Sequence, residues 1–267
     1  IQDAVEAQAG SSECPDYSSG ILNIGSDSYV EANPVIAHLY DPVNESWSEI
    51  TEVDAPTQRK HESIVWTNDQ LFIFGGAFEH GTGSDDLYNS SLLFDETYFL
   101  DPTSGGTWEL LSNNSYTPSQ REFSPVVFNG RYVFLINGIY VTEADSYTIA
   151  SGGGIFDTQT NSWIEMSTSG APTSFTSIVW SGTHLIAYGG MTINSTFASA
   201  SITSEVYLYD LAKDEWTSVS LPSFYETRSG ARGVWADDRL LMWGGVSEPF
   251  TTTSENFLSS GLIYFPN

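Results

Sequence analysis

Residues 59–76 read Arg59-Lys60-His61-Glu62-Ser63-Ile64-Val65-Trp66-Thr67-Asn68-Asp69-Gln70-Leu71-Phe72-Ile73-Phe74-Gly75-Gly76, and this run decides the fold. Two short apolar runs, Ser63 to Trp66 and Leu71 to Phe74, flank an Asn68-Asp69 turn and end on a glycine pair. Both are β-branched or aromatic, which is the signal of strands rather than of a helix. The register recurs. Arg59, Trp66, Gly75 and Gly76 set it, Thr173, Trp180, Gly189 and Gly190 repeat it with Thr in place of Arg, and Arg228, Trp235, Gly244 and Gly245 repeat it with Arg. A damaged fourth copy runs Arg121, Phe128, Asn137, Gly138. A glycine pair closing a strand suits a positive φ or the close approach of another backbone.

Around each copy lies a Tyr or Phe beside an Asp, then a turn and a Trp: Tyr40/Asp41 and Trp47, Phe99/Asp101 and Trp108, Phe156/Asp157 and Trp163, Tyr209/Asp210 and Trp216. Successive Trp residues stand 61, 55 and 53 positions apart. A period of that size, built from short strands, describes an array of supersecondary units that bury their faces against one another. Each unit reads as four strands. Four-stranded antiparallel sheets repeated around an axis make an all-β propeller, with the Trp of the fourth strand spanning the gap to a neighbouring blade.

These repeats resemble kelch repeats, on the strength of the three Gly-Gly pairs, the Tyr or Phe near Asp, and the fourth-strand Trp. Ser169-Gly170-Ala171-Pro172 followed by Ile178-Val179-Trp180-Ser181-Gly182 is most similar to bacterial exported kelch-type repeats. The resemblance covers about residues 35–265 and implies a kelch-type β-propeller. It leaves function open, because kelch propellers include enzymes, adhesive modules and adaptors. Residues 21–267 are assigned to the propeller and residues 1–20 to an N-terminal leader or a closing strand. Five blades, closed by pairing the N-terminal segment with the last unit, is the preferred count; four blades, or part of a larger ring, stay open.

The chain carries 34 acidic and 8 basic residues in 267, a formal charge of -26. Such a surface repels phosphate backbones and anionic bilayers, so neither nucleic-acid binding nor direct membrane insertion is expected, and no apolar run is long enough to span a bilayer. It also keeps a protein soluble in brine, where salt screens the self-repulsion. A chain that begins with Ile1 is expected to be a processed, exported one, placed outside the cell or at its surface. Cys14 is alone, which excludes an internal disulfide framework. The four sequons at Asn44, Asn89, Asn113 and Asn194 are close to what chance gives a chain this rich in Ser and Thr.

Loop lengths carry most of the functional information. Links between strands one and two, and three and four, are short; those between strands two and three are long, at 77–95, 139–152, 191–204 and 246–260, and so are the interblade crossings. In an up-and-down blade both long classes emerge on one face, where binding on a rigid scaffold resides. Their Ser, Thr, Asn and aromatic content, with Phe78, His80, Tyr88, Phe197 and Phe250 as candidate contacts, suits a glycan or a protein. Arg59, Arg121 and Arg228, with His61 nearby, occupy equivalent places near the channel mouth. They serve either to hold neighbouring loops or to bind an anion. Arg232 replaces the small Ser63, Pro125 and Ser177 of the other units and is expected to enter the channel.

The expected function is therefore a non-enzymatic recognition module that binds a protein or glycan through its long-loop face. A carbohydrate-active enzyme of the sugar isomerase or epimerase type, acting on an anionic sugar at the channel mouth, is the alternative. A structural domain of a larger surface assembly is a third reading. No catalytic residues, metal ligands or cofactor are assigned. The copper-oxidase kelch proteins need a Cys crosslinked to a Tyr, which Cys14 does not match. The Asp85-Asp86 and Asp237-Asp238 pairs lack the Gly-punctuated spacing of a calcium loop, so calcium has weak support.

Overall fold

The computed structural model describes residues 37–41, 43–79, 91–141, 147–172, 175–193, 200–222, 225–248 and 257–265. The first unit contributes the hairpin β1 (His38–Asp41) and β2 (Ser46–Glu49). The second holds β3 (Ser63–Thr67), β4 (Gln70–Phe74), β5 (Ala77–Glu79), β6 (Ser91–Leu93), β7 (Thr97–Asp101) and β8 (Thr107–Leu111). The third holds β9 (Val126–Phe128), β10 (Tyr132–Ile136), β11 (Ile139–Val141), β12 (Tyr147–Ile149), β13 (Gly153–Asp157) and β14 (Ser162–Ile164). The fourth holds β15 (Phe175–Trp180), β16 (His184–Ile193), β17 (Ala200–Ile202), β18 (Val206–Asp210) and β19 (Glu215–Val219). The last holds β20 (Arg232–Ala236), β21 (Arg239–Trp243) and β22 (Gly261–Tyr264).

The pairing is up-and-down and antiparallel throughout: β3-β4-β7-β8, β9-β10-β13-β14, β15-β16-β18-β19 and β20-β21-β22. These four sheets are the blades detected among the described residues. One 3-10 turn, Thr103–Gly105, is the helix they contain. The sequence's preferred fifth blade is represented by β1-β2, which packs through Ala37, Leu39 and Ile50 onto Leu71, Ile73 and Trp108 of the next unit. Its expected second strand at residues 21–24, the segment 1–20 and Cys14 lie outside the described residues.

Innermost strands stand side by side in chain order, β3 against β9, β9 against β15 and β15 against β20. Middle strands such as β4 and β10 are buried on both faces, because their blades are sandwiched between two others, and this is why they read as unbroken apolar runs. Outermost strands alternate. In β8 and β19 the Trp points inward while its neighbours face water. Trp108, Trp163 and Trp216 each fill the gap to the preceding unit and remain 4%, 2% and 8% exposed. Their indole N–H groups donate to Thr51 O, Thr97 Oγ1 and Ser167 O at 2.8–2.9 Å.

Trp47 departs from the expected burial: it is 46% exposed. The register turns each of these Trp residues toward the preceding unit, and among the described residues no blade packs on that side of Trp47. The opposite end of the array is exposed too. Gly233 lies against Val179 of the preceding blade, so the other side of β20 and its partner strands presents Val234, Trp243 and Ile263 to solvent.

The described bases of three of the long two-to-three links are paired as two-stranded ribbons, β5-β6, β11-β12 and the extension of β16 with β17. Because both arms continue the middle strands, the ribbons project from the loop face and wall the spaces between blades.

Candidate functional site

The repeated Arg explains the repeated glycine pair. Arg59 Nη1 donates to Gly75 O at 3.0 Å, Arg121 Nη1 to Asn137 O at 2.9 Å and Arg228 Nη1 to Gly244 O at 2.8 Å. Each side chain thus pins the strand end of its own blade. Its backbone pins the blade before: Gly76 N donates to Arg121 O at 2.8 Å, and Gly190 N to Arg228 O at 2.9 Å. A Cβ on Gly75 would stand 2.5 Å from Arg121 O, and one on Gly189 would collide with Arg228 O, so a side chain is excluded where one backbone crosses another. Asn137 fills the first glycine position of the damaged copy with φ +53°, a left-handed conformation that Asn tolerates better than other side chains.

The three guanidinium groups differ in their counter-charge. Arg59 Nη2 is 2.7 Å from Glu96 Oε2, and Arg228 Nη2 is 3.2 Å from Glu226 Oε2. Glu96 immediately precedes the third strand of its blade and Glu226 stands two residues before the Arg. In the third unit those two places hold Gly152 and Ser119. Arg121 is accordingly held by oxygens without charge: Ser119 O at 2.8 Å, Ser119 Oγ at 3.0 Å, and the carbonyls of Asn137 and Gly152. Burial lowers its pKa to about 10, which leaves it a cation at neutral pH, and no carboxylate among the described residues is bonded to it.

Arg121 backs a cavity of about 650 Å³ between the second and third units. Asp95 reaches it from the end of the β5-β6 link, Ser119 and Gln120 from the interblade crossing, and Tyr140, Thr148 and Ser151 from the β11-β12 ribbon and its base. All of these segments belong to the loop face. The wall offers hydroxyls, an amide, one carboxylate and a tyrosine side chain.

A second cluster lies where crossings enter the innermost strands. His61 Nδ1 is 2.9 Å from Glu122 Oε2, and the His61 ring stacks on Phe123 at 3.8 Å and 23°. Phe123 N donates to His61 O at 2.9 Å. His61 and Phe123 occupy equivalent positions with φ +56° and +58°, where the last unit has Gly230 at +67°. A left-handed conformation costs a bulky residue roughly 1–2 kcal/mol. Next to them Glu62 has a buried Oε2 that accepts no hydrogen bond among the described residues, and desolvation holds its carboxyl above the usual carboxylate range, against the weaker opposing effects of its own backbone N–H, Arg59 and His61.

The repeat-by-repeat geometry matches an established description. The family model for the KLHDC2/KLHL20/DRC7 kelch-repeats domain matches residues 17–245. The chain is a member of this kelch-repeat family. Among solved structures, that described as "Structure of YjhT" aligns over 86% of this chain and 73% of its own length, with 16% identity and a TM-score of 0.61. This likeness is one of fold. No curated protein sequence matches the chain.

Within the kelch framework the residues singled out by sequence separate. Arg59, Arg121 and Arg228 are buried and bonded to backbone carbonyls, the loop-holding arrangement weighed above. Arg232 is exposed on β20 and paired with Trp243, on the strand side turned away from the preceding blade. The small residues of the other units have a use there: Ser63 Oγ donates to Ser124 O at 2.7 Å and Ser177 Oγ to Ala231 O, hydroxyl stitches between adjacent inner strands. Phe78 is half-buried on β5. His80, Tyr88, Phe197, Phe250, the Asp85-Asp86 pair and the sequons at Asn89 and Asn194 lie outside the described residues. Among the described residues no group of three His, Cys, Asp or Glu side chains converges as metal ligands would; Asp237 is in a turn with φ +55° and Asp238 pairs with Arg239.

Proposed function

We propose that this kelch propeller is an exported, non-enzymatic recognition module whose loop face binds a glycan. The cavity between the second and third units carries the reading, since a polyhydroxylated ligand is recognised by convergent hydroxyl and amide groups and an aromatic face, and Gln120, Tyr140, Thr148 and Ser151 supply them on a rigid scaffold. Kelch propellers generally mediate interactions, and a protein partner would use the same face. The three repeat arginines favour recognition over turnover. Their Nη1 groups are committed to the carbonyls that end the second strands, so swinging the side chains out to a substrate would release the strand ends they hold.

A glycan array probed with the fluorescently tagged chain tests the reading. Binding is expected for wild type and for Asp238→Ala, which alters the opposite face. It is expected to fall in the Gln120→Ala/Thr148→Ala double variant. Equal loss in Asp238→Ala, or full retention in the double variant, refutes the loop-face site.

One observation favours the enzymatic reading as a second choice. Glu62, kept protonated toward higher pH by burial, lies beside the His61-Glu122 pair, and adjacent carboxyl and imidazole groups are the material of acid–base catalysis. Sugar epimerisation followed by NMR checks it. Activity on an anionic sugar that disappears in Glu62→Gln but survives Gln120→Ala/Thr148→Ala would replace the binding account.

A further inference from the structure

The three arginines share one role and differ in one respect. Arg59 and Arg228 each meet a carboxylate at Nη2, whereas among the described residues Arg121 meets only carbonyl and hydroxyl oxygens. A buried guanidinium without a counter-charge is costly to keep, and the chain has two ready places, Ser119 and Gly152, where its own repeats show a carboxylate would sit. Neither place is used. The uncompensated arginine is also the one that backs the polar cavity on the loop face.

We infer that this cavity is a subsite for the carboxylate of an acidic monosaccharide unit, with Arg121 as the group that receives the charge. The inference rests on the glycan-recognition reading and names the class of sugar. A carboxylate entering beside Ser119 takes the place held in the last unit by Glu226, which lies against the Nη2 edge of its arginine. The ring hydroxyls then face Gln120, Thr148 and Ser151, and Asp95 accepts a hydrogen bond from a sugar hydroxyl. Asp95 also sets the valence. One negative charge is offset by Arg121, whereas a doubly charged phosphate would stand against both Asp95 and the net charge of -26. Arg121 is a positioning residue for the fold as well as the charge acceptor, so the useful variant leaves it in place.

Ser119→Glu supplies the missing carboxylate from within, in the manner of Glu226. Ser119 is exposed, so the longer side chain has room. Calorimetric titration of the full chain with galacturonate and with galactose, at 0.15 M sodium chloride, reads the effect. Wild type is expected to bind galacturonate about tenfold tighter than galactose, the increment of one charge-assisted contact. Ser119→Glu should remove that preference and melt no lower than wild type. If Ser119→Glu melts lower, Gln120→Glu serves instead, because it places a negative charge at the cavity without touching the bonds of Arg121; it too should erase the preference. Equal affinities for the two sugars in wild type overturn the carboxylate subsite and leave glycan recognition standing. A preference that persists in a stably folded charge variant overturns the role of Arg121. Binding of neither sugar, together with a negative array, fails both readings.

Discussion

Replacing Trp163 by Ala tests the packing that makes the blades one body. The side chain is 2% exposed, with ring centroids of Phe74, Phe156 and Phe72 at 5.1, 5.4 and 6.0 Å. A buried Trp removes on the order of 200 Å² from water, worth about 5 kcal/mol at ~25 cal/mol per Å². Relaxation of the surrounding rings returns part of this, and loss of the bond from its indole N–H leaves the buried Thr97 Oγ1 without that donor. The expected loss is about 3–5 kcal/mol, as for large-to-small core replacements generally. Trp47→Ala is the internal control. That residue holds the same place in its unit but is 46% exposed and makes its ring contact with Tyr40 at 4.9 Å, so its truncation should cost below about 1.5 kcal/mol. Urea unfolding followed by far-UV circular dichroism supplies both numbers, provided the m-values stay equal. A Trp163→Ala loss below about 1 kcal/mol, or one equal to that of Trp47→Ala, would refute the assigned register and blade packing.

Three further outcomes follow from the same structure. Glu62 has a folded pKa above its unfolded one, so the unfolded chain releases its proton first and stability falls as pH rises from the ordinary Glu range to the raised folded value. Glu62→Gln should therefore melt higher than wild type at pH 7 and lose that advantage below about pH 4, the ordinary Glu range; a lower melting temperature at pH 7 would contradict the unsatisfied carboxyl. Gly75→Ala should cost more than about 1 kcal/mol, from the left-handed φ of +67° and the 2.5 Å approach to Arg121 O, and a neutral result in denaturant would deny the backbone crossing. With 34 acidic against 8 basic residues, the melting temperature should rise between low and molar sodium chloride, and a flat or falling series removes the saline-habitat argument.

The fold was legible because its signals are local and repeated. Arg, aromatic and Gly pair recur at fixed offsets, and turns such as Asn129-Gly130 and Ser181-Gly182 sit where the strands reverse. The meaning of the Arg was half legible: its place in the repeat was visible, but which carbonyls it reaches depends on the Gly pair 16 residues on. Arg121's missing counter-charge was visible only after the blades were aligned in space, since Glu96 and Glu226 compensate the other two from different sequence positions. The cavity escaped for a related reason. Asp95, Ser119, Gln120, Tyr140 and Thr148 come from three separate segments, and none carries a motif. The hydroxyl-rich interblade crossing at 112–121 was the one trace of it. The two-to-three links were read as irregular because strand pairs of three residues, such as β5-β6 and β11-β12, are too short to show a period. Trp47 shows the converse error, in which a correct register did not bring burial because a neighbouring blade supplies it.

Amide hydrogen exchange of the chain with and without a glycan identified on the array tests the central claim most directly. Protection on binding should concentrate in 112–121 and in the β11-β12 ribbon, which wall the cavity on the loop face. The turns at 129–130, 181–182 and 237–238 on the opposite face should exchange as before. Protection confined to those turns, or spread evenly over the blades with none at the cavity, would contradict recognition through the loop face.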